Sequence, residues 1–531
     1  MKYLRAFCVL TLVRLVAFPL PAAEIDLSTA TVLDLQKAYA GGLSAERVVE
    51  ACLKRIAAYD KAGPGLNAIL AIHPHALAQA RALDAERRAR GPRSPLHGVP
   101  VVVKDNFDTF DLPTTGGARA LAGTVPWRDA FAVARLRAAG AIILAKTNLD
   151  EFARGVTGTS SLGGQVLNPY NLAKTPGGSS GGSAVAVTTL MGWIGLGTET
   201  GNSVRNPSTK ANLVGFVPSE GLVSRGGIIP ISLTYDRAGT MARNVTDAAI
   251  AMAVMAGTDA ADLFSYQGLG HTPPDHYLSA LRKDGLKGAR IGVVRELFGR
   301  GPADAPAAAL IGAAIARLKA EGAIVLDPLP VNADLWEIVK QTNYMRYECR
   351  AALEFYFATR GPAFPYKNIP DLVASGGILG RLKIRYQEEQ AAGDLTNNAA
   401  YLGVYRGRES MRQFIHELLD RWQLDALVYP HETTPARLLA DTVKDGGHTL
   451  VADLGGGTLG AGNRLSTAAG LPTLTVPAGF NTDGVPVGIE FLGRRFSEAT
   501  LLRLAYAFEQ AHPQRRLPAS TPPLGVEVLV Y

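Results

Sequence analysis

The sequence predicts an α/β fold in which helices cover both faces of a β-sheet. In HGVPVVVKDNFD the β-branched run from Val99 to Val103 ends in a polar turn, which is typical of a strand buried on both faces. The segments after it alternate, since AFAVARLRAAG has the pattern of a helix, AIILAKT that of a strand and LDEFARG that of a helix start. The same order recurs at residues 305–327, where APAAALIGAAIARLKAEG precedes AIVLDP. Alternating helices and apolar strands indicate an α/β sheet.

Other segments extend this pattern towards both ends of the chain. Residues 25–90 are helical in pattern, and Ser44 is a candidate N-cap for SAERVVEACLKRIAAYD. PGGSSGG leads into a short predicted helix, GSAVAVTTLMG, and then into a predicted strand, WIGLGT. DALVYPHETTP and GLPTLTVPAGF predict strands that end at proline turns, and EATLLRLAYAFEQA predicts a final amphipathic helix.

Residues 332–393 differ from the rest because they are helical in pattern over a long stretch and rich in aromatic residues. These aromatic residues are Trp336, Tyr344, Tyr347, Phe355, Tyr356 and Phe357. Aromatic side chains at helical spacing are more often core than ligand pocket. The segment is nevertheless the natural candidate for a variable substrate wall, which would suit an apolar or aryl substrate.

The composition describes a globular protein and excludes several classes of ligand. Hydrophobic residues make up 47% of the chain and charged residues 19%, which is unlike a disordered protein. The net charge of +7 falls to +4 without residues 1–23, and no basic cluster contains interleaved aromatics, so we expect no nucleic acid partner. Apart from Cys8, only Cys52 and Cys349 are cysteines, and the nine histidines show no HExxH motif or other close ligand spacing. We therefore expect no metal site and no cofactor.

The first 23 residues have the plan of a secretory signal peptide. Lys2 and Arg5 precede an apolar run, and cleavage after Ala23 would follow the small residues expected there. Arg14 interrupts the apolar run and Pro21 is not the small residue usual at its position, so an uncleaved membrane-proximal anchor or a misassigned start codon stays open. We expect a periplasmic or secreted protein that has no stable membrane insertion once residues 1–23 are removed.

Lys104 is a candidate base. It follows the predicted strand directly, so its amine would lie at the carboxyl end of a buried strand, where sites in α/β proteins gather. Burial in apolar surroundings disfavours the charged form of a lysine.

The glycine-serine run around Ser179 and Ser180 has two interpretations. Such a composition is typical of a flexible linker. The flanking glycines would equally allow unusual backbone conformations and close approach of other segments, as a loop in a site requires. The run alone leaves both open.

Ser203 is a candidate nucleophile. It follows Gly201 and Asn202 and precedes a predicted helix or turn near Pro207. Successive backbone N–H groups at such a bend can converge on a developing oxyanion. The signal is weak alone, because the segment is not a G-x-S-x-G elbow.

Together these segments resemble the amidase signature family, in the family's order and over about residues 25–510. GVPVVVKDN is similar to its lysine strand, LAKTNLDEFARG to its next landmark and NPYNLAKTPGGSSGGSAVAV to its glycine-serine loop. GLGTETGNSVRNPS resembles its nucleophile segment, GFVPSEGLVSRGGIIPISLTYDRAGTMARNVTDAA the continuation and GLPTLTVPAGFNTDGVPVGIEFLG the C-terminal strands. The resemblance implies one large mixed sheet in a single catalytic domain, residues 24–531, with residues 332–393 as a helical insertion.

The resemblance also implies a Ser-Ser-Lys triad that works through an acyl-enzyme. Ser203 would be the acylated nucleophile, Ser179 a bridging serine held by a cis peptide bond and Lys104 the base. A neutral lysine would take the proton of Ser179 as Ser179 takes that of Ser203. Ser180 would support the lysine by hydrogen bonding.

Further roles are implied around the triad. The oxyanion hole would be formed by the backbone N–H groups of Thr200, Gly201, Asn202 and Ser203. Arg205 and Asp236 fall at family positions, and we interpret them as a supporting ion pair.

Two residues depart from the family pattern, which usually has Asp and Gly where this chain has Glu199 and Asn202. Asn tolerates the left-handed backbone region better than most residues, so we expect the turn to be kept. The Asn202 side chain would narrow the site or add a hydrogen-bond donor.

Three functions follow from this. The first is an exported hydrolase, monomeric or homodimeric, that cleaves a small-molecule carboxylic amide to an acid and ammonia or an amine, with esters and carbamates suited to the same machinery. The second is the amidase component of an aminoacyl-tRNA amidotransferase, which liberates ammonia from glutamine beside its partners in the cytosol. The third is a catalytically silent member that only binds ligand.

Overall fold

A computed structural model describes residues 23–342, 345–391, 395–444 and 462–531. The predicted signal peptide therefore lies outside the described residues, apart from Ala23, and so does Tyr344. Within the described ranges, no helix is both long enough and apolar enough to cross a bilayer. Cys52 and Cys349 are both buried as free thiols.

The strands fall into one large sheet and two small ribbons. They are β1 (Glu24–Asp26), β2 (Ile69–Ile72), β3 (Pro100–Lys104), β4 (Ile142–Thr147), β5 (Thr159–Ser160), β6 (Gly164–Gln165), β7 (Ile194–Glu199), β8 (Val214–Val217), β9 (Arg237–Ala242), β10 (Arg290–Val293), β11 (Ile324–Leu326), β12 (Ala426–Pro430), β13 (Thr473–Phe480), β14 (Pro486–Leu492) and β15 (Val528–Val530).

Helices connect most of these strands. They are α1 (Val32–Ala40), α2 (Ala45–Tyr59), α3 (Ala76–Arg90), α4 (Phe131–Ala138), α5 (Gly181–Thr188), α6 (Arg205–Lys210), α7 (Val245–Met255), α8 (Ala305–Ala320), α9 (Leu335–Gln341), α10 (Met345–Thr359), α11 (Ile369–Ala374), α12 (Gly380–Gln390), α13 (Ala399–Arg421), α14 (Leu439–Lys444), α15 (Gly462–Ala469) and α16 (Glu498–Ala511).

The large sheet has eleven strands in the described part of the chain, in the order β11-β10-β12-β14-β13-β8-β9-β7-β3-β4-β2. It is mixed, because β7, β3 and β4 run parallel to one another while β9 and β8 are antiparallel to their neighbours. Every residue of β3, β4, β7 and β9 is buried, so both faces of the sheet are covered there. The predicted mixed α/β sheet is confirmed.

Most predicted elements occur where the pattern placed them, with three differences. LDEFARG does not begin an α-helix but makes one short turn, in which Phe152 and Ala153 have left-handed backbone angles (φ 52° and 58°). Residues 69–72, within the stretch predicted to be helical, form strand β2 instead. Pro477 does not end a strand but lies within β13, at an irregularity of its pairing with β14.

The aromatic segment mainly builds a secondary core. Tyr356 and Phe357 on α10 and Tyr386 on α12 are buried in a cluster that packs against Phe152 and Ile229, close to the ends of the central strands. Phe355 is the exception, with 64% of its surface exposed. The predicted core packing is therefore confirmed for these helices, which lie against the segments that contain Phe152 and Ile229.

Candidate active site

The pairing of β3, β7 and β9 brings the predicted site residues to one edge of the sheet. β3 and β7 are parallel, so their carboxyl ends, which carry Lys104 and Glu199, lie side by side. β9 is antiparallel to β7 and pairs Arg237 with Glu199, so Asp236 lies at the same edge. Ser180 leads into α5, which packs on β3 and β7. Sheet topology thus gathers four segments that are far apart in sequence.

Lys104 is fully buried and contacts the glycine-serine loop directly. Its Nζ lies 2.8 Å from Ser179 Oγ, 2.8 Å from Thr198 Oγ1 and 3.4 Å from the Thr198 carbonyl oxygen. Asn106 Nδ2 donates to the same Thr198 hydroxyl at 2.9 Å. The lysine amine is therefore held by Ser179 and Thr198, and Asn106 in turn holds the Thr198 hydroxyl.

The electrostatics of Lys104 favour a neutral amine. Burial lowers its pKa to about 7, although the negative charges of Asp150, Asp236 and Glu199 act in the opposite direction. No described carboxylate lies within ion-pair distance of Nζ. Lys146, at the end of the neighbouring strand, shows the contrast, because it forms an ion pair with Asp105 at 3.0 Å and donates to surrounding oxygens as a structural lysine does.

The glycine-serine run is a rigid site loop and not a linker. Every residue from Thr175 to Thr188 is buried, and the Gly178–Ser179 peptide bond is cis, as the resemblance implies. Gly177 has φ +75°, and a Cβ there would lie 2.5 Å from Asn206 Oδ1. A Cβ on Gly178 would collide with the Asp150 carboxylate. Glycine is needed because other segments approach the backbone too closely for a side chain.

Ser203 lies in the bend between β7 and α6 and is 8% exposed. Its carbonyl oxygen accepts a hydrogen bond from Ser180 N–H at 3.2 Å, which ties the bend to the loop. The N–H groups of Gly201, Asn202 and Ser203 have no acceptor among the described residues. The Gly201 carbonyl is fixed by Arg205 and by Thr467, at 2.9 and 2.8 Å. The bend therefore presents three unused donors beside a serine hydroxyl.

The supporting ion pair predicted between Arg205 and Asp236 is wrong. Arg205 is fully buried between Glu199, with Nε to Oε1 at 2.8 Å, and Glu490, with Nη1 to Oε1 at 2.6 Å. Burial alone would raise the pKa of Glu490, but the Arg205 guanidinium and the His431 hydrogen bond overcome it and hold that pKa at about 2. Arg205 takes its partners from β7 and β14 because α6 follows β7 along the chain and packs against β14.

Asp236 instead supports the oxyanion segment. Its Oδ1 accepts from the Thr200 hydroxyl at 2.5 Å, and its Oδ2 accepts from the N–H groups of Ile231 and Ser232 at 2.7 and 3.0 Å. Burial raises its pKa. The predicted hydrogen bond from Ser180 to the lysine is also replaced, since Ser180 Oγ donates to the Thr198 carbonyl at 3.4 Å and so reaches Lys104 only through Thr198.

Of the two departures from the family pattern, Glu199 has a structural role. The Glu199 carboxylate accepts hydrogen bonds from the N–H groups of Val204 and Arg205 at 3.0 and 3.2 Å, so it anchors the start of α6. Asn202 does not have left-handed backbone angles. The prediction that Asn is accepted at this position because it tolerates that backbone region is therefore wrong. Its Nδ2 is buried without a partner in the described part of the chain.

A cavity of about 270 Å³ adjoins this edge of the sheet. Its walls include Ile228, Pro230, Asp236, Phe355 and Tyr356. Ile228 and its neighbour Ile229 are tied to the strand end that carries Lys104, because Ile229 N–H donates to the Asn106 carbonyl at 2.8 Å. The cavity therefore lies near the strand end that carries Lys104, but Lys104, Ser179 and Ser203 do not line it.

Comparison with known proteins decides the family. The sequence matches the family model described as Amidase over residues 47–502. The chain belongs to the amidase family. This amidase is 36% identical to a glutamyl-tRNA(Gln) amidotransferase subunit of Myxococcus xanthus, over 92% of the chain and 98% of the relative. It is 34% identical to a probable amidase of Arabidopsis thaliana, over 94% and 93%.

Solved structures agree with this family. The native peptide amidase of Stenotrophomonas maltophilia is 38% identical, with a TM-score of 0.82 over 93% of this chain and 99% of that protein. The corresponding glutamyl-tRNA(Gln) amidotransferase subunit of Thermotoga maritima is 25% identical, with a TM-score of 0.70 over 93% and 98%. The amidase is thus an enzyme that hydrolyses an amide C–N bond, as the sequence predicts.

Proposed function

We propose that Ser203 is the nucleophile, Ser179 the proton relay and Lys104 the base of this amidase. The observation that carries the proposal is the buried Lys104 amine, without an ion-pair partner in the described chain, 2.8 Å from Ser179 Oγ. Ser203 Oγ attacks the amide carbon while its proton passes to Ser179 and the proton of Ser179 passes to Lys104.

The same relay then runs in reverse. The lysine proton returns through Ser179 to the leaving nitrogen, the C–N bond breaks, and ammonia or an amine leaves an ester on Ser203. Water adds to this ester as its proton enters the relay. The acid is released when Ser203 recovers its proton, so the enzyme is restored.

The unused N–H groups of the bend would bind the anion that forms on the amide oxygen. Gly201, Asn202 and Ser203 supply three such donors, and Asp236 holds the segment through Thr200. Donors fixed in advance stabilise the transition state by about 3 kcal/mol each. The backbone N–H of Thr200 is the fourth donor of the oxyanion hole predicted from the sequence.

For the substrate, we propose an amide with an apolar or aryl group. The cavity beside Asp236 is lined largely by apolar side chains, among them Phe355 and Tyr356, although Arg128, Arg225 and Asp262 also line it. It is large enough for a benzene-sized group, which fits an engineered cavity of about 150 Å³. The similarity to a peptide amidase makes peptide amides the first compounds to test.

A hydrolysis panel tests this function. Glutamine, aliphatic amides, anilides, peptide amides, carbamates and esters are compared on the purified chain, with Ser203→Ala as the control. We expect peptide amides or anilides to be cleaved faster than glutamine, and Ser203→Ala to be inactive on all of them. Equal activity of Ser203→Ala would contradict the assigned nucleophile.

A glutamine-hydrolysing component of an amidotransferase is the second candidate, because relatives with such a name are 36% identical over nearly their whole length. It predicts cleavage of glutamine and copurification with partner proteins. We favour the independent hydrolase, since residues 1–23 have the plan of a signal peptide and we propose a periplasmic or secreted enzyme. N-terminal sequencing of the protein recovered from the exported fraction tests this, and a chain that starts at Met1 would refute cleavage.

A further inference from the structure

Asn206 joins the two segments that carry the active-site serines. It lies on α6, three residues after Ser203, and it is fully buried. Its Oδ1 accepts a hydrogen bond from the N–H of Gly178, the residue before Ser179, at 3.2 Å. Its Nδ2 donates to Glu432 Oε2 at 2.8 Å. The Asn206 side chain therefore joins α6, the helix that follows Ser203, to the glycine-serine loop.

The partners of Asn206 fix the orientation of its amide. A backbone N–H can only donate and a carboxylate can only accept, so Oδ1 must face Gly178 and Nδ2 must face Glu432. Glu432 follows β12, and it also forms an ion pair with Lys210, one turn further along α6. Residues of α6 thus hold the Glu432 carboxylate, and both the oxygen and the nitrogen of the Asn206 amide have a hydrogen-bond partner.

Other hydrogen bonds also join the glycine-serine loop to the segment that carries Ser203. Asn168 Nδ2 donates to the carbonyl oxygens of Thr175 and Lys210 at 3.2 and 3.4 Å. Ser180 N–H donates to the Ser203 carbonyl at 3.2 Å, and Asp150 N–H donates to the Ser179 carbonyl at 3.1 Å. The hydrogen bond to Asn206 holds Gly178, the residue before Ser179, whereas the bond to the Ser203 carbonyl holds Ser180, the residue after it. Loss of the Asn206 amide would remove the hydrogen bond nearest to Ser179 on the Gly178 side, while the Ser180 and Asn168 hydrogen bonds would still join the two segments.

We propose that Asn206 is a positioning residue that sets Ser179 against Ser203, and that Glu432 acts through it. This inference rests on the proposed function, because the relative position of Ser179 and Ser203 matters only if a proton passes between them. A misplacement of about 1 Å in such a site costs up to hundredfold in rate. Lys104 is not touched by Asn206, so the protonation of the base should stay the same.

The test uses variants on both sides of the amide. Asn206→Leu removes both hydrogen bonds at similar volume, Glu432→Gln keeps an acceptor for Nδ2, and Glu432→Ala removes it. Ser208→Ala is the matched control, because Ser208 lies on the same helix and its buried Oγ has no partner among the described residues. Each folded variant is measured for kcat and KM on the best amide, for the rate of labelling by a serine-directed phosphonate, and for its pH profile.

We expect Asn206→Leu to lower kcat and the labelling rate about tenfold or more, with KM and the midpoint of the pH profile unchanged. Glu432→Ala should lower both rates several-fold, and it should add nothing in the Asn206→Leu background. Glu432→Gln and Ser208→Ala should stay within about twofold of the wild type.

Three results would overturn the proposal. They are a folded Asn206→Leu with wild-type rates, independent losses from Asn206→Leu and Glu432→Ala, and a shifted pH midpoint, which would place the effect on Lys104. If Asn206→Leu does not fold, Glu432→Ala decides, and wild-type rates there refute the proposal. Failure of the proposed function is seen separately, as activity that survives Ser203→Ala.

Discussion

The pH dependence of the first chemical step follows from the burial of Lys104. The base must be neutral to accept a proton, and its pKa is about 7. Its neutral fraction is then about one tenth at pH 6 and about nine tenths at pH 8. We therefore expect kcat/KM to rise about tenfold between pH 6 and pH 8 and to level off above that. A lysine with its ordinary pKa of about 10.5 would give a rise of about hundredfold over the same range, with no plateau.

The assay measures kcat/KM for one amide from pH 5 to 9.5 at constant ionic strength. The rate of phosphonate labelling is measured alongside, because that reaction does not depend on protonation of a leaving amine. Lys104→Met, which removes the amine, should lose the rising limb together with the activity. A flat profile between pH 6 and 8, or a rise that continues unchanged above pH 9, would refute the assignment of Lys104 as a neutral base.

Three substitutions test other parts of the site. Thr198→Val removes the hydroxyl that holds the lysine amine, and we expect kcat to fall about fivefold, since a hydrogen bond contributes about 1 kcal/mol. Its matched control is Thr147→Val. Thr147 lies on β4, which pairs with the other side of β3, and its hydroxyl is hydrogen-bonded to Ser183. An equal loss of kcat in this control would show that the effect of Thr198→Val is merely structural. Gly201→Ala should fold normally, because a Cβ at this position has no other atom within 4 Å. The added methyl group should raise KM for bulky amides, because it fills space beside the nucleophile. Unfolding of the variant, or an unchanged KM, would contradict this. Arg205→Met should lower the free energy of unfolding by about 3–5 kcal/mol, because it removes the nearest cation from the buried carboxylates of Glu199 and Glu490. A loss below about 1 kcal/mol in denaturant unfolding would show that their other partners, Arg237 and His431, are sufficient.

Local pattern was enough to predict the strands and helices that place the site. The β-branched run before Lys104 and the helix after Ser180 depend on apolar periodicity, which is a property of neighbouring residues. The family resemblance then connected three segments that periodicity could not connect. The contact of Lys104 with Ser179 and the hydrogen bond from Ser180 N–H to the Ser203 carbonyl confirm that these segments meet.

The rest depended on contacts between distant parts of the chain. Arg205 pairs with Glu490, from a strand 285 residues further on, and no local pattern indicates that partner. Thr198 and Asn106 could have been noticed, since one lies on the strand before Ser203 and the other two residues after Lys104. Their role became visible only when the parallel pairing of β3 and β7 brought the two strand ends together.

Identification of the residue that becomes covalently modified tests the central claim most directly. The purified enzyme is treated with a serine-directed fluorophosphonate, digested, and mapped by mass spectrometry, next to the Ser203→Ala and Ser179→Ala variants. We predict one adduct, on Ser203, that is absent from Ser203→Ala and forms far more slowly in Ser179→Ala. An adduct on another serine, labelling that survives Ser203→Ala, or no labelling of an enzyme that cleaves amides would contradict the account.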